Sequence, residues 1–412
     1  METTGYIPRH SGRHAAAPHG WTAKKTASVI AAVIMIGAGA AIVAAVSARL
    51  TPRACSGAGG GCASAPPARS TLAVQKPAPR VFADPADRLS GPSAAAASGG
   101  RLWITNVLGN SVTELSAASG AHLRTLSSAA FAFRGPNAVA TSGEHVWVAN
   151  VPANSVTEIN ALNGQPERFL SAGYGFSSPY ALALSGTRLW VANAGGNSVT
   201  EISTVTGRRL AVIAGQRYGL KNPYALAVAG GRVWVANAGG RSVTEISART
   251  GAWIATLSAG YGLDDPAALA VAGTSLWVAS EAGDAVTELD ARTGAPVTRL
   301  AGRRYGFDNP AALAVAAGRL WVASALNNSV SEISLRTGAL LRTVTGRRYG
   351  LSNPVGLAAA GRYLWVTSLG SNAVTRVQLT PRGRRGGAGS SSRSSRPGPA
   401  ARRSRSGTAA RR

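Results

Sequence analysis

Histidine, cysteine and acid are the scarce residues of this 412-residue chain, which holds 5 His, 2 Cys and 17 Asp plus Glu against 43 Lys plus Arg. Two cysteines cannot staple a chain of this length, so a disulfide-built scaffold is excluded. Only His122 and His145 fall in the central region, in unlike settings, so a histidine-based acid/base or metal site is poorly supplied. No phosphate-cradling loop, dinucleotide fingerprint or Ser-His-Asp arrangement is found. Helical spacing is absent after residue 80. What the chain does have is 45% hydrophobic residues, enough to bury a core and to exclude global disorder.

The formal charge of +26 is unevenly placed: residues 81–380 hold 24 basic and 16 acidic side chains, and the two ends hold nearly all the remaining surplus. Residues 1–25 form a short basic tail expected in the cytoplasm. Residues 26–48 contain an uncharged Ala/Ile/Val-rich run bounded by Lys24, Lys25 and Arg49. A run of about 20 residues crosses a hydrocarbon core as a helix, and the basic bias places its N-terminal side inside. It reads as a signal-anchor; the other reading is a signal peptide processed at Val46-Ser47-Ala48, giving a secreted protein. Either way the following domain is exported. Residues 49–78 are an Ala/Pro/Gly-rich linker in which Cys55 and Cys62 could close a small disulfide loop.

Internal repetition decides the fold. Trp103, Trp147, Trp190, Trp234, Trp277, Trp321 and Trp365 sit in variants of LWVAN and recur every 43 or 44 residues. Each is framed by a Pro, a strand such as ALAVAG, a Gly/Asn turn, SVTEI, an RTG-type turn and a fourth apolar run. Four short alternating strands per unit, repeated seven times, predict an all-β seven-bladed β-propeller over residues 79–380. The last unit lacks its fourth strand, and aligning Pro92 with Pro354 puts Pro79–Phe82 in the missing place. The N-terminal segment is therefore expected to complete the seventh blade and leave no open edge. The tryptophans are assigned to packing between blades, each ring burying about 150–250 Å².

The text Leu189–Ser203 (LWVANAGGNSVTEIS) and Val233–Ser247 (VWVANAGGRSVTEIS), with the TG turns after them, resembles the YVTN/NHL-type propeller repeats. These include virginiamycin B (streptogramin) lyase-like and YncE-like proteins. The resemblance covers the seven units and implies the fold; such propellers host unrelated functions. Streptogramin-lyase-like members imply a histidine- and metal-assisted site in the channel region. No residue here matches that motif, so the activity does not carry over.

In a propeller, the connections between blades and the second-to-third-strand turns share one face. That face is expected to gather Tyr174, Tyr218, Tyr261, Tyr305 and Tyr349 with Arg217, Arg303, Arg304, Arg347, Arg348, Asn193 and Asn237. Tyr180 and Tyr224 begin innermost strands and are expected at the channel mouth. Such a face could stack sugars or bases and neutralise phosphate or carboxylate. The plainer reading has each Tyr-Gly pack its connection onto the next blade. A glutamate series, Glu114, Glu158, Glu201, Glu245, Glu288 and Glu332, meets Arg376 in the seventh place. Cross-strand pairing with Arg101, Arg188, Arg232 and Arg319 accounts for it, each exposed pair contributing about 0–1 kcal/mol.

Residues 381–412 carry ten arginines and no acid, and are expected to be disordered. In the cytosol such a run would favour nucleic acid; outside it favours anionic wall polymers or lipid headgroups. The sequence thus points to a membrane-anchored, extracytoplasmic, monomeric propeller that binds a protein or an anionic envelope polymer, with no catalytic residue, cofactor or metal expected. The alternatives are a lyase working at the channel mouth and a nucleic-acid binder led by the tail.

Overall fold

The computed structural model describes residues 79–83 and 88–379. The anchor or signal segment, Cys55, Cys62 and the arginine-rich tail lie outside the described residues. Among the described residues no helix is long and apolar enough to cross a membrane.

Seven four-stranded antiparallel sheets form the molecule. The fourth blade is representative, with strands Pro223–Ala229, Arg232–Asn237, Ser242–Ser247 and Trp253–Leu257 running from the axis outward. The innermost strand of each blade touches those of both neighbours, which closes a ring around a central axis. The seventh blade takes its outermost strand from the start of the domain, as the repeat alignment predicts. Arg80–Phe82 pairs antiparallel with Ala373–Gln378, Phe82 opposite Val374 and Arg80 opposite Arg376. Phe82 then packs on Trp365 with ring centroids 5.4 Å apart.

Every tryptophan of the repeat is buried, none more than 2% exposed. Each sits in a cluster built from its own blade and the next, as Trp234 does with Leu276, Val278 and Leu289. Trp365 closes the circle against Leu102, Ile104 and Leu115 of the first blade. Among the described residues six of the seven indole N–H groups find no hydrogen-bond partner, so these rings act through area.

Five of the six glutamates are ion-paired and far less exposed than expected, while Glu288 accepts from Ser275 Oγ at 2.6 Å instead. Glu114, Glu158, Glu201, Glu245 and Glu332 are at most 4% exposed, because each lies opposite a buried tryptophan in the sheet. Arg101, Arg188 and Arg232 bond to Glu114, Glu201 and Glu245 respectively, while Arg124 and Arg342 reach Glu114 and Glu332 from the outermost strands. The small value expected for exposed pairs therefore does not apply. Removing one partner of a buried pair costs about 3–5 kcal/mol.

Neighbouring blades are also latched through the backbone. Asn110, Asn154, Asn197, Asp284, Asn328 and Asn372 end the second-to-third-strand turns with φ of +43 to +56°. Each accepts, through Oδ1 at 2.6–2.8 Å, the N–H of the residue before the next blade's leading proline. Those residues are themselves left-handed, and Gly91, Gly135, Asn222 and Asn353 suit that conformation. The junction between blades four and five departs from the pattern. Arg241 replaces the asparagine, and its Nε meets Asp264 Oδ1 at 3.1 Å.

Candidate functional site

The upper face carries the blade connections and the second-to-third-strand turns, as backbone bonds such as Ala238 N–H to Asn222 O confirm. It does not gather all the residues expected on it. Tyr174, Tyr218, Tyr261 and Tyr349 pack into clusters between blades, and Tyr305 is only 3% exposed. The hydroxyls of Tyr174, Tyr218 and Tyr305 donate to Gly207, Gly251 and Gly338 carbonyls at 2.7–3.0 Å, on the far turn of the blade each loop enters. Packing accounts for these three rings. Tyr261 differs: it borders a cavity of about 410 Å³ with Thr287 and Arg299 on the outer side of blade five.

Asn193 and Asn237 lie beneath the face, fully buried. Their Nδ2 atoms donate to Thr200 and Thr244 Oγ1 at 2.9 Å, and those hydroxyls donate onward to the Tyr174 and Tyr218 carbonyls. The chain of bonds ties a blade's centre to its incoming loop.

The arginines do reach the surface. Arg217, Arg303, Arg304, Arg347 and Arg348 are exposed on loops that follow outermost strands. Arg304 and Arg348 lie over the rings of Tyr305 and Tyr349 at 4.7 and 4.9 Å, and Arg217 over Trp253 at 5.5 Å. Among the described residues none of the four arginines on the last two loops, Arg303, Arg304, Arg347 and Arg348, has a carboxylate partner.

Tyr180 and Tyr224 take the position expected of them at the start of innermost strands. In blades two to seven the residue after the leading proline is skipped by the ladder, a bulge that frees its side chain from the sheet. Asn137, Ala267, Ala311 and Val355 fill this place elsewhere, so the aromatic pair makes the mouth one-sided. The two rings stack with centroids 3.9 Å apart. Burial pushes the Tyr180 hydroxyl up to about 12 and raises Tyr224 as well.

Beside this pair stand two acids that repeat-level reading passed over. Glu281 N–H bonds to Asp265 O at 3.0 Å. Burial, reinforced by the Asp265 charge, pushes the Glu281 carboxyl up to about 7, partly countered by a hydrogen bond from Asn309. Asp265 is raised too, by burial and then by Asp264. Glu281 occupies a turn position held by Val, Ala or Leu in the other six blades, and that departure was the available signal.

A second group lies on the lower half of blade two, where His145 stands in the place of the repeated arginine. Its Nδ1 is 3.1 Å from Glu158 Oε1 and 2.9 Å from Glu167 Oε2. These atoms could hold a divalent ion. Arg168 at 2.7 Å on the other Glu158 oxygen offsets part of their charge. Among the described residues the two histidines, His122 and His145, stand on an outermost and a second strand, not at the mouth where the lyase resemblance implies a histidine.

The fold defines the chain as a seven-bladed β-propeller. It is similar to a streptogramin B lyase structure (15% identity, TM-score 0.62, 71% of this chain and 94% of that one). Similar too are virginiamycin B lyase from Staphylococcus aureus (15%, 0.61, 73% and 99%) and Kuenenia stuttgartiensis hydrazine synthase (19%, 0.60, 71% and 97%). At these identities the likeness shows the fold alone. No protein-family model matches the sequence, and no curated protein does.

Proposed function

We propose that this propeller is a non-catalytic binding module, held outside a membrane by residues 26–48, whose upper face takes an anionic envelope polymer. One observation carries the reading: Arg303, Arg304, Arg347 and Arg348 project from successive loops without carboxylate partners among the described residues. Two adjacent pairs suit a repeating anion, because each guanidinium offers a planar fork to phosphate or carboxylate. The test is an array of glycans and anionic polymers probed with the full chain and with all four arginines changed to alanine. Salt-sensitive binding lost in the variant is expected; undiminished binding overturns the reading. Accessibility of a C-terminal tag in intact cells checks the export.

A second reading, a lyase-type enzyme at the channel mouth, is favoured by Glu281. A carboxyl held near 7 beside stacked tyrosines is suited to proton transfer. Turnover abolished by Glu281→Gln, with polymer binding unaffected, would place function there instead.

A further inference from the structure

On the lower face, blades seven and one border an open cavity of about 420 Å³. Its walls are the turns Ser98–Arg101, Ala117–Ala118 and Ala359–Tyr363, nearly all small residues, with Arg101, Arg362 and Tyr363 as the large side chains. That volume falls within the range of about 300–1,000 Å³ usual for small-ligand sites. The seam is also where the repeat inverts its charge. Six blades hold a glutamate opposite the tryptophan, whereas the seventh holds Arg376 opposite Trp365, and Tyr363 stands where four blades have arginine.

Arg376 does not itself line the cavity but lies against two residues that do, Tyr363 and Ala118. Its guanidinium lies over the Tyr363 ring at 4.3 Å, and its Nη1 donates to Ala118 O at 2.6 Å. Arg362 lies 5.8 Å from the same ring. Among the described residues neither Arg362 nor Arg376 has a carboxylate partner, while Arg101 is paired with Glu114. Elsewhere in the ring this strand position holds a buried glutamate; here a guanidinium backs an Ala- and Gly-lined wall, and Arg362 stands in that wall.

We propose that this cavity binds a small carboxylate-bearing molecule, whose charged end meets Arg362, backed by Arg376, and whose apolar body lies against Tyr363 and the alanines. The ligand's carboxylate would stand in for the missing seventh glutamate. The inference rests on the lower face and is independent of the polymer-binding reading.

Calorimetric titration of the full chain with benzoate and 3-phenylpropanoate, at constant ionic strength and with inorganic phosphate as comparison, tests it. Saturable one-to-one carboxylate binding is expected, weakened at least tenfold in the double variant Tyr363→Arg/Arg376→Glu. That variant installs the pair of the other blades, so an unchanged melting temperature would show that only the site is lost. Arg362→Ala should weaken binding severalfold without unfolding the chain. Absence of saturable binding, binding indifferent to the double variant, or a preference for phosphate over both carboxylates would overturn the proposal.

Discussion

Replacing Arg232 with alanine tests how the blades hold their buried acids. Glu245 is 2% exposed, and among the described residues Arg232 is the one side chain bonded to it. Burial already raises the Glu245 carboxyl, and Arg232 is what opposes the rise. The variant leaves a carboxylate buried without a partner, which costs about 3–5 kcal/mol at neutral pH. At about 2.1 cal/mol/K per residue this is a drop of roughly 5–8 °C in melting temperature for a unit of this size. The native state then binds the extra proton, so the deficit is full above the raised value, shrinks as pH falls through it, and vanishes below the ordinary 4.5. Calorimetric melts at pH 7.5 and 4.5, each against wild type, read both effects. Removing the carboxylate as well, in Arg232→Ala/Glu245→Leu, should restore most of the loss. Arg319→Ala is the internal control: Glu332 keeps Arg342, so the cost should be only about 1–2 kcal/mol. A deficit at Arg232 below about 1 kcal/mol, or one indifferent to pH, would refute the reasoning.

Other expectations concern the seam and the mouth. Deleting residues 71–84 removes the closing strand and Phe82, and should unfold or oligomerise the domain; sedimentation and an unchanged melting temperature would speak against closure. Gly356→Ala would bring a Cβ within 2.4 Å of Thr367 Oγ1 and 2.5 Å of Ser93 O, an overpacking worth about 1–3 kcal/mol in denaturant melts. Glu281, raised to about 7, contributes stability that is fully present below about 4.5 and lost as pH rises through 7. Glu281→Gln should therefore exceed wild type by up to about 3 kcal/mol at pH 8 and match it near pH 4.5; equal curves at both values count against burial of the acid.

The blade count, the packing tryptophans and the closing strand were legible because they repeat: a period of 43 or 44 residues survives any uncertainty about strand limits. The side-chain directions were not. Tyr305 sits in a loop of the upper face yet turns down between blades to reach Gly338, and Asn237 stands beside an exposed turn yet points into the sheet. Neither outcome follows from a position on a face; each depends on contacts across blades. The mouth and seam groups were hidden for the opposite reason. Glu281, His145 and Arg241 are departures from the repeat, and a reading guided by the consensus passes over its exceptions. Arg376 was visible as such a departure, but its cavity needed blade one in place beside blade seven.

Joining the ring by a strand of three residues has a mechanical side. The chain comes in at Arg80 and goes out just beyond Gln378, on adjacent strands running in opposite directions. Tension applied between these two ends would not shear the ladder but peel it, rung by rung, from Arg80–Arg376 to Phe82–Val374. The joint that seals the circle is thus also the place where a pull would open it, with Phe82 drawn off Trp365 as the last grip to yield.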